Sequence, residues 1–144
     1  MNLPLALQIA GLLQILLLTA GAMMIRVVNL AHHMKALPVF HRQLFWTYLG
    51  FTGFTLFSLG LLTLLHAPEL SLGRGLARGF NLFVCLFWTA RLVIQFFVFD
   101  LRPFLTNRWL HAGHAALNLV FLYLPVVHGW AFLAPVDPTT PTLP

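Results

Sequence analysis

Apolar residues in this chain gather into four long runs separated by short polar interruptions. A helix needs about 20 residues, at 1.5 Å each, to cross a hydrocarbon layer about 30 Å thick. Four stretches meet that requirement: Leu3 to Val28, Leu44 to Leu65, Leu76 to Phe99 and Trp109 to Leu133. The intervening segments carry breakers and charge. Residues 32–42 hold Pro38, 67–75 hold Pro68 and two glycines, and 100–108 hold Pro103. Such short connections make sequential helices antiparallel neighbours, so the predicted fold is all-α, an integral membrane four-helix up-down bundle over residues 1–134. The Pro/Thr-rich tail 135–144 is expected to be poorly ordered. No internal repeat is visible, which removes the usual support for an inverted-repeat transporter.

Composition agrees with this reading, because 60% of the 144 residues are hydrophobic and only 8% are charged. Soluble domains lie far from those values. The formal net charge of +5 does not point to nucleic acid, since the basic residues are scattered one or two per loop. They act instead as topology signals. Arg26, Lys35, Arg42, Arg102 and Arg108 flank the first and third loops, against Arg74 and Arg78 at the second. The positive-inside rule then places those two loops in the cytoplasm and both termini outside, in what the compact loops suggest is a bacterial-type inner membrane. Trp46 and Trp109 fall at the inner interface and Trp130 at the outer one. The first run lacks a positive n-region and is longer than the roughly 7 to 15 residues of a signal-peptide core, so a spanning helix is expected there. Cys85, the one cysteine, reads as core filler and offers no disulfide framework.

Polar side chains at membrane depth are costly, so each is a candidate site. Arg91 lies just past the middle of the third span, with Gln95 one turn later on the same face and Trp88 a turn earlier. No acidic residue occurs inside a span. Candidate partners for Arg91 are therefore a lipid headgroup reached by snorkelling, Asn118, Gln14, a carbonyl, an anionic cofactor group or another subunit. Gln8, Gln14 and Asn118 are expected to hydrogen-bond across helices.

Seven histidines divide by side: His32, His33, His41, His111 and His114 toward the cytoplasm, His66 and His128 toward the outside. Trp46 to His66 and Trp109 to His128 are nearly equal intervals on helices that run parallel in this topology. The two outer histidines therefore reach a similar depth. If their helices adjoin, the pair offers two axial ligands to one b-type haem. His114 and His128 stand 14 residues, or about 21 Å, apart on nearly one face, a spacing similar to the paired haem ligands of the membrane cytochromes b. Thr52 occupies the corresponding place before His66, and Pro125 interrupts the helix between the two histidines. The cytoplasmic group resembles the histidine boxes of membrane di-iron desaturases and hydroxylases, with fewer histidines and only Asp100 as a nearby carboxylate. In size and helix count the chain is also similar to the small four-helix glutathione-transferase and leukotriene-synthase family, without that family's acidic motif on the second helix.

Small residues at Gly50, Gly53, Ser58 and Gly60, and at Ala112, Gly113, Ala115 and Ala116, are expected to form the tight seams of the bundle. Nucleophilic triads, phosphate loops and zinc-finger spacings are absent, and three carboxylates leave little material for acid-base catalysis. The expectation is a non-catalytic accessory or anchor subunit of a larger, redox-associated membrane complex, in contact with the bilayer and with other subunits or copies of itself. The alternative is a small b-type cytochrome whose haem is held by His66 and His128, with His114, Arg91 and Gln95 as further cofactor-binding candidates. An intramembrane lipid-modifying or metal-dependent enzyme ranks below both.

Overall fold

The computed structural model describes residues 2–97 and 108–134. The Pro/Thr tail, Asp100 and Arg102 lie outside these residues. Among them the structure is helical apart from short turns and has no strand: α1 (Leu3–Val27), α2 (Leu30–His33), α3 (Val39–Leu65), α4 (Ala67–Ser71), α5 (Gly75–Phe97) and α6 (Arg108–Leu133). The four long helices are each apolar and long enough to cross a membrane, and the protein is an integral membrane protein.

Local chemistry sets the boundaries. Asn29 turns the chain after α1 in the left-handed region (φ 47°), a conformation that asparagine tolerates better than most residues. A 3-10 turn at Met34–Ala36 and Pro38, which takes the N-cap position of α3, complete that connection. Helix α3 therefore starts five residues before the predicted Leu44, taking in Phe40, His41 and Arg42. Proline at the helix entrance loses no hydrogen bond, so it starts this helix inside what the sequence reading gave as the loop 32–42. The second connection, expected to be irregular, contains α4, with Pro68 in its first turn. Gly73 follows in the left-handed region (φ 62°), and a Cβ there would stand 3.1 Å from the Ala131 carbonyl oxygen.

Two antiparallel hairpins result. In the first, α1 and α3 meet where Gly11 faces Gly60: a Cβ on Gly11 would lie 2.6 Å from the Leu64 backbone nitrogen, and one on Gly60 would lie 2.9 Å from Ile15. Close backbone approach of this kind is a main source of helix association in lipid. In the second, α5 and α6 interlock through Asn81 with His128, Cys85 with Pro125, Trp88 with Phe121 and Gln95 with His114. Steps of four, three and seven along α5 are matched by steps of three, four and seven back along α6, the heptad spacing of an antiparallel knobs-into-holes seam.

The hairpins join at one end only. Helix α1 packs on both α3 and α6, α4 bridges α1 and α5, and α3 makes no extensive contact with α5 or α6. The middle pair of sequential helices is thus not a pair of neighbours, because α4 stands between them. The core reflects this: Ala6, Leu7 and Ala10 of α1, Leu59 of α3, Ala67 and Leu70 of α4, Val84 and Trp88 of α5, and Phe121, Leu124, Val127 and Ala131 of α6. We call this the capped end. Outside this core, Thr19 to Met24 of α1 are exposed, and so are Ala112, Gly113, Ala115 and Ala116 of α6, whose part of the α5–α6 hairpin we call the open end. Helix α1 meets α6 only through its first half, with Ala6 against Tyr123 and Gln14 against His128. Gly21, Gly50 and Gly113 have nothing within 4 Å of a Cβ position. Of the expected small-residue seams, only Gly60 is tight.

Candidate functional site

Two polar clusters lie along the α5–α6 seam. The first belongs to the capped end and draws on four elements. Asn81 Nδ2 donates to the Leu70 carbonyl of α4 at 2.8 Å, and His128 Nδ1 donates to Asn81 Oδ1 at 3.0 Å. Gln14 of α1 reaches His128 Nε2 with its amide nitrogen at 3.3 Å. All three side chains are fully buried.

The direction of this chain follows from its last member. A carbonyl only accepts, so Asn81 must present its NH2 group to Leu70 and its oxygen to His128. His128 then carries its proton on Nδ1 and offers a lone pair at Nε2, which the Gln14 amide nitrogen fills. Gln14 Oε1 is left buried and without a partner. Turning that amide over would set oxygen against the Nε2 lone pair, so the present arrangement is the better of the two.

The second cluster sits toward the open end. Arg91 Nη1 donates to Gln95 Oε1 at 3.1 Å, and the guanidinium lies 4.9 Å from the centre of the Phe121 ring. Gln95 Nε2 donates to His114 Nε2 at 3.4 Å, and the Asn118 amide nitrogen is 3.4 Å from His114 Nδ1. With Nε2 accepting from Gln95, the proton of His114 resides on Nδ1. The Asn118 amide nitrogen is equally far, 3.4 Å, from Nε2, so it lies across the ring rather than in line with either nitrogen, and its buried oxygen has no partner among the described residues. The bonds are longer than in the first cluster, and His114, Arg91 and Asn118 are only half-buried.

Between the clusters Trp88 stacks on Phe121 with ring centres 5.7 Å apart. One turn toward the capped end, Pro125 interrupts the backbone ladder of α6, since it has no N–H for the Phe121 carbonyl. The Cys85 thiol donates to the Pro125 carbonyl at 3.3 Å, and Gly129 leaves room for the sulfur.

The predicted residues can now be placed. Arg91, Gln95 and His114 come together, and Arg91 takes Gln95 and the Phe121 ring as partners. Gln14, expected to bond across helices, does so. His66 and His128 both lie at the capped end, but α3 does not pack on α6. His66 is half-exposed at the end of α3, its Nδ1 2.8 Å from Glu69 Oε2. Both nitrogens of His128 are engaged inside the bundle, so ligation of iron there would require the Gln14 or Asn81 bond to open. Among the described residues no three His, Cys, Asp or Glu side chains are grouped to hold a metal ion, so the histidine-box residues are not assembled into such a centre. Asn81 was missed by the sequence reading. Its one signal is an amide on the same face as Trp88 and Gln95, at intervals of seven. Searches against family models, curated proteins and solved structures find no match to this chain.

Proposed function

We propose that the protein is a non-catalytic accessory or anchor subunit that completes its packing against other membrane helices, with its open end in the cytoplasm. The observation that carries this reading is the divergence of the two hairpins. It leaves Ala20, Gly21 and Ala22 on α1, and Ala112, Gly113, Ala115 and Ala116 on α6, exposed with no helix covering them among the described residues. Small residues raise helix affinity in lipid only when another backbone approaches. The short connections support the same reading, because they leave little chain outside the bilayer for chemistry. A redox-associated complex is the preferred setting, since the α5–α6 seam concentrates imidazole, amide and indole groups in a bundle interior.

The test is gentle extraction from native membranes, followed by mass spectrometry of co-purifying chains and a reduced-minus-oxidised spectrum. Stoichiometric partner chains that are lost on Gly113→Leu, while the isolated protein stays folded, are the expected result. A monomer without partners would overturn it. A haem signal lost on changing His66 or His128 would assign the cytochrome instead.

A further inference from the structure

We infer that the α1–α3 turn, together with the outer face of α3, is a binding site for an anionic phospholipid. This goes beyond the subunit reading and does not depend on it. Two observations meet there. The first is a shallow apolar groove on α3, lined by Trp46, Thr47, Gly50, Phe51 and Phe54. Gly50 supplies the notch, since nothing lies within 4 Å of its Cβ position, and the Thr47 hydroxyl is turned inward onto the Gln43 carbonyl at 2.9 Å. The wall is therefore left apolar. The groove follows about 12 Å of helix, the length of half an acyl chain.

The second observation is charge at the mouth of that groove. Arg42 stands one helical turn before Trp46, His41 adjoins it, and Lys35 lies in the 3-10 turn that leads into α3. Arg26 closes α1 across the same turn. No carboxylate is found at this end among the described residues. Glu69 is at the capped end against His66, and Asp100 and Asp137 lie outside the described residues. A phosphodiester at the basic turn and its chain in the aromatic groove satisfy both features in one molecule. A zwitterionic lipid brings the same phosphate with a compensating cation, so it fills the groove but is held less strongly by the basic turn. Helix α3 is the edge helix of the bundle, so the groove opens sideways into the bilayer and a lipid reaches it without any rearrangement.

The experiment uses the full chain carrying Trp109→Phe and Trp130→Phe, in vesicles of phosphatidylcholine with a minor fraction of phosphatidylglycerol. Trp88 is 1% exposed, so quenching by lipids brominated in the acyl chain reads Trp46. At equal mole fraction, brominated phosphatidylglycerol is expected to quench more than brominated phosphatidylcholine. Each neutralised side chain, Lys35→Gln or Arg42→Gln, lowers the preference about fivefold. Arg78→Gln at the capped end leaves it unchanged. Salt on the parent protein supplies an independent reading, because the preference must fall as ionic strength rises. Equal quenching by the two lipids, a preference that survives both neutralisations or high salt, or a Trp46 shielded from both by a second chain would each overturn the proposal.

Discussion

The capped and open ends each place a histidine of α6 against an amide of α5, yet the two environments differ in kind. At the capped end His128 is fully buried, and each polar neighbour is assigned by the Leu70 carbonyl. At the open end His114 is half-buried, and its contacts stretch to 3.4 Å. What separates them is a third helix. Helix α1 reaches His128 through Gln14 and closes the site, whereas its hydrogen bonds to α6 extend back only as far as Tyr123, nine residues from His114. Buried polar groups are worth most when every member is satisfied in a dry setting, and least where the alternative partner is interfacial water. The capped cluster is therefore a structural pin, and the open cluster is a surface that can still accept a neighbour.

The sharpest way to break the comparison is one substitution made at both ends. Gly11→Ala forces the α1 and α3 backbones apart and should destabilise the protein by about 3 kcal/mol in reversible unfolding from bicelles. Gly113→Ala, with open space around it, should be neutral or stabilising by about 0.5 kcal/mol through helix propensity alone. The same cost at both sites would mean that the ends are packed alike.

Next in size is the pin itself. His128→Leu strands the Asn81 oxygen and the Gln14 amide and should cost about 2 kcal/mol. Gln14→Leu should cost less than half of that, because it also removes a buried oxygen that has no donor. A double-mutant cycle between His128 and Asn81 should show coupling of about 1 kcal/mol. Additive effects would deny that the chain of bonds acts as a unit.

Smaller still is the corresponding change in the open cluster. Gln95→Leu should cost about 0.6 kcal/mol, the average for hydrogen bonds between membrane helices. A value above that of His128→Leu would reverse the ranking of the two ends. The last measurement alters stability least: spin-label distances between Thr19→Cys and Ala116→Cys should be broadly distributed, while those between Leu3→Cys and Leu133→Cys should be narrow. Addition of the natural partner should narrow the first pair only.

The long helices were legible in the sequence because hydrocarbon demands unbroken apolar runs, and four runs allow few arrangements. The nearness of Arg91 to Gln95 was legible too, since a spacing of four on one helix fixes it, but the partners expected for Arg91 were Asn118, Gln14, a carbonyl or groups outside the chain, not Gln95. What escaped was information held between helices. Gly11 is as tight as Gly60, but a lone glycine in α1 gives no sign of what backbone it will meet. The Ala112 to Ala116 stretch has the composition of an interface and no helix against it, because small residues mark where a helix can pack, not whether this chain supplies the partner. Asn81 drew no notice in the sequence, because only the fold sets a buried imidazole beside it.

The single-ended junction also gives the molecule a mechanical property. From Gln14 to Val27, helix α1 runs about 20 Å beyond the pin. Each hairpin is thus a lever pivoting on one buried fulcrum, and a rotation of about 5° at His128 displaces the free end of α1 by about 2 Å. Lateral pressure in the surrounding leaflet acts at the end of that arm, where it has the most leverage on the buried pin.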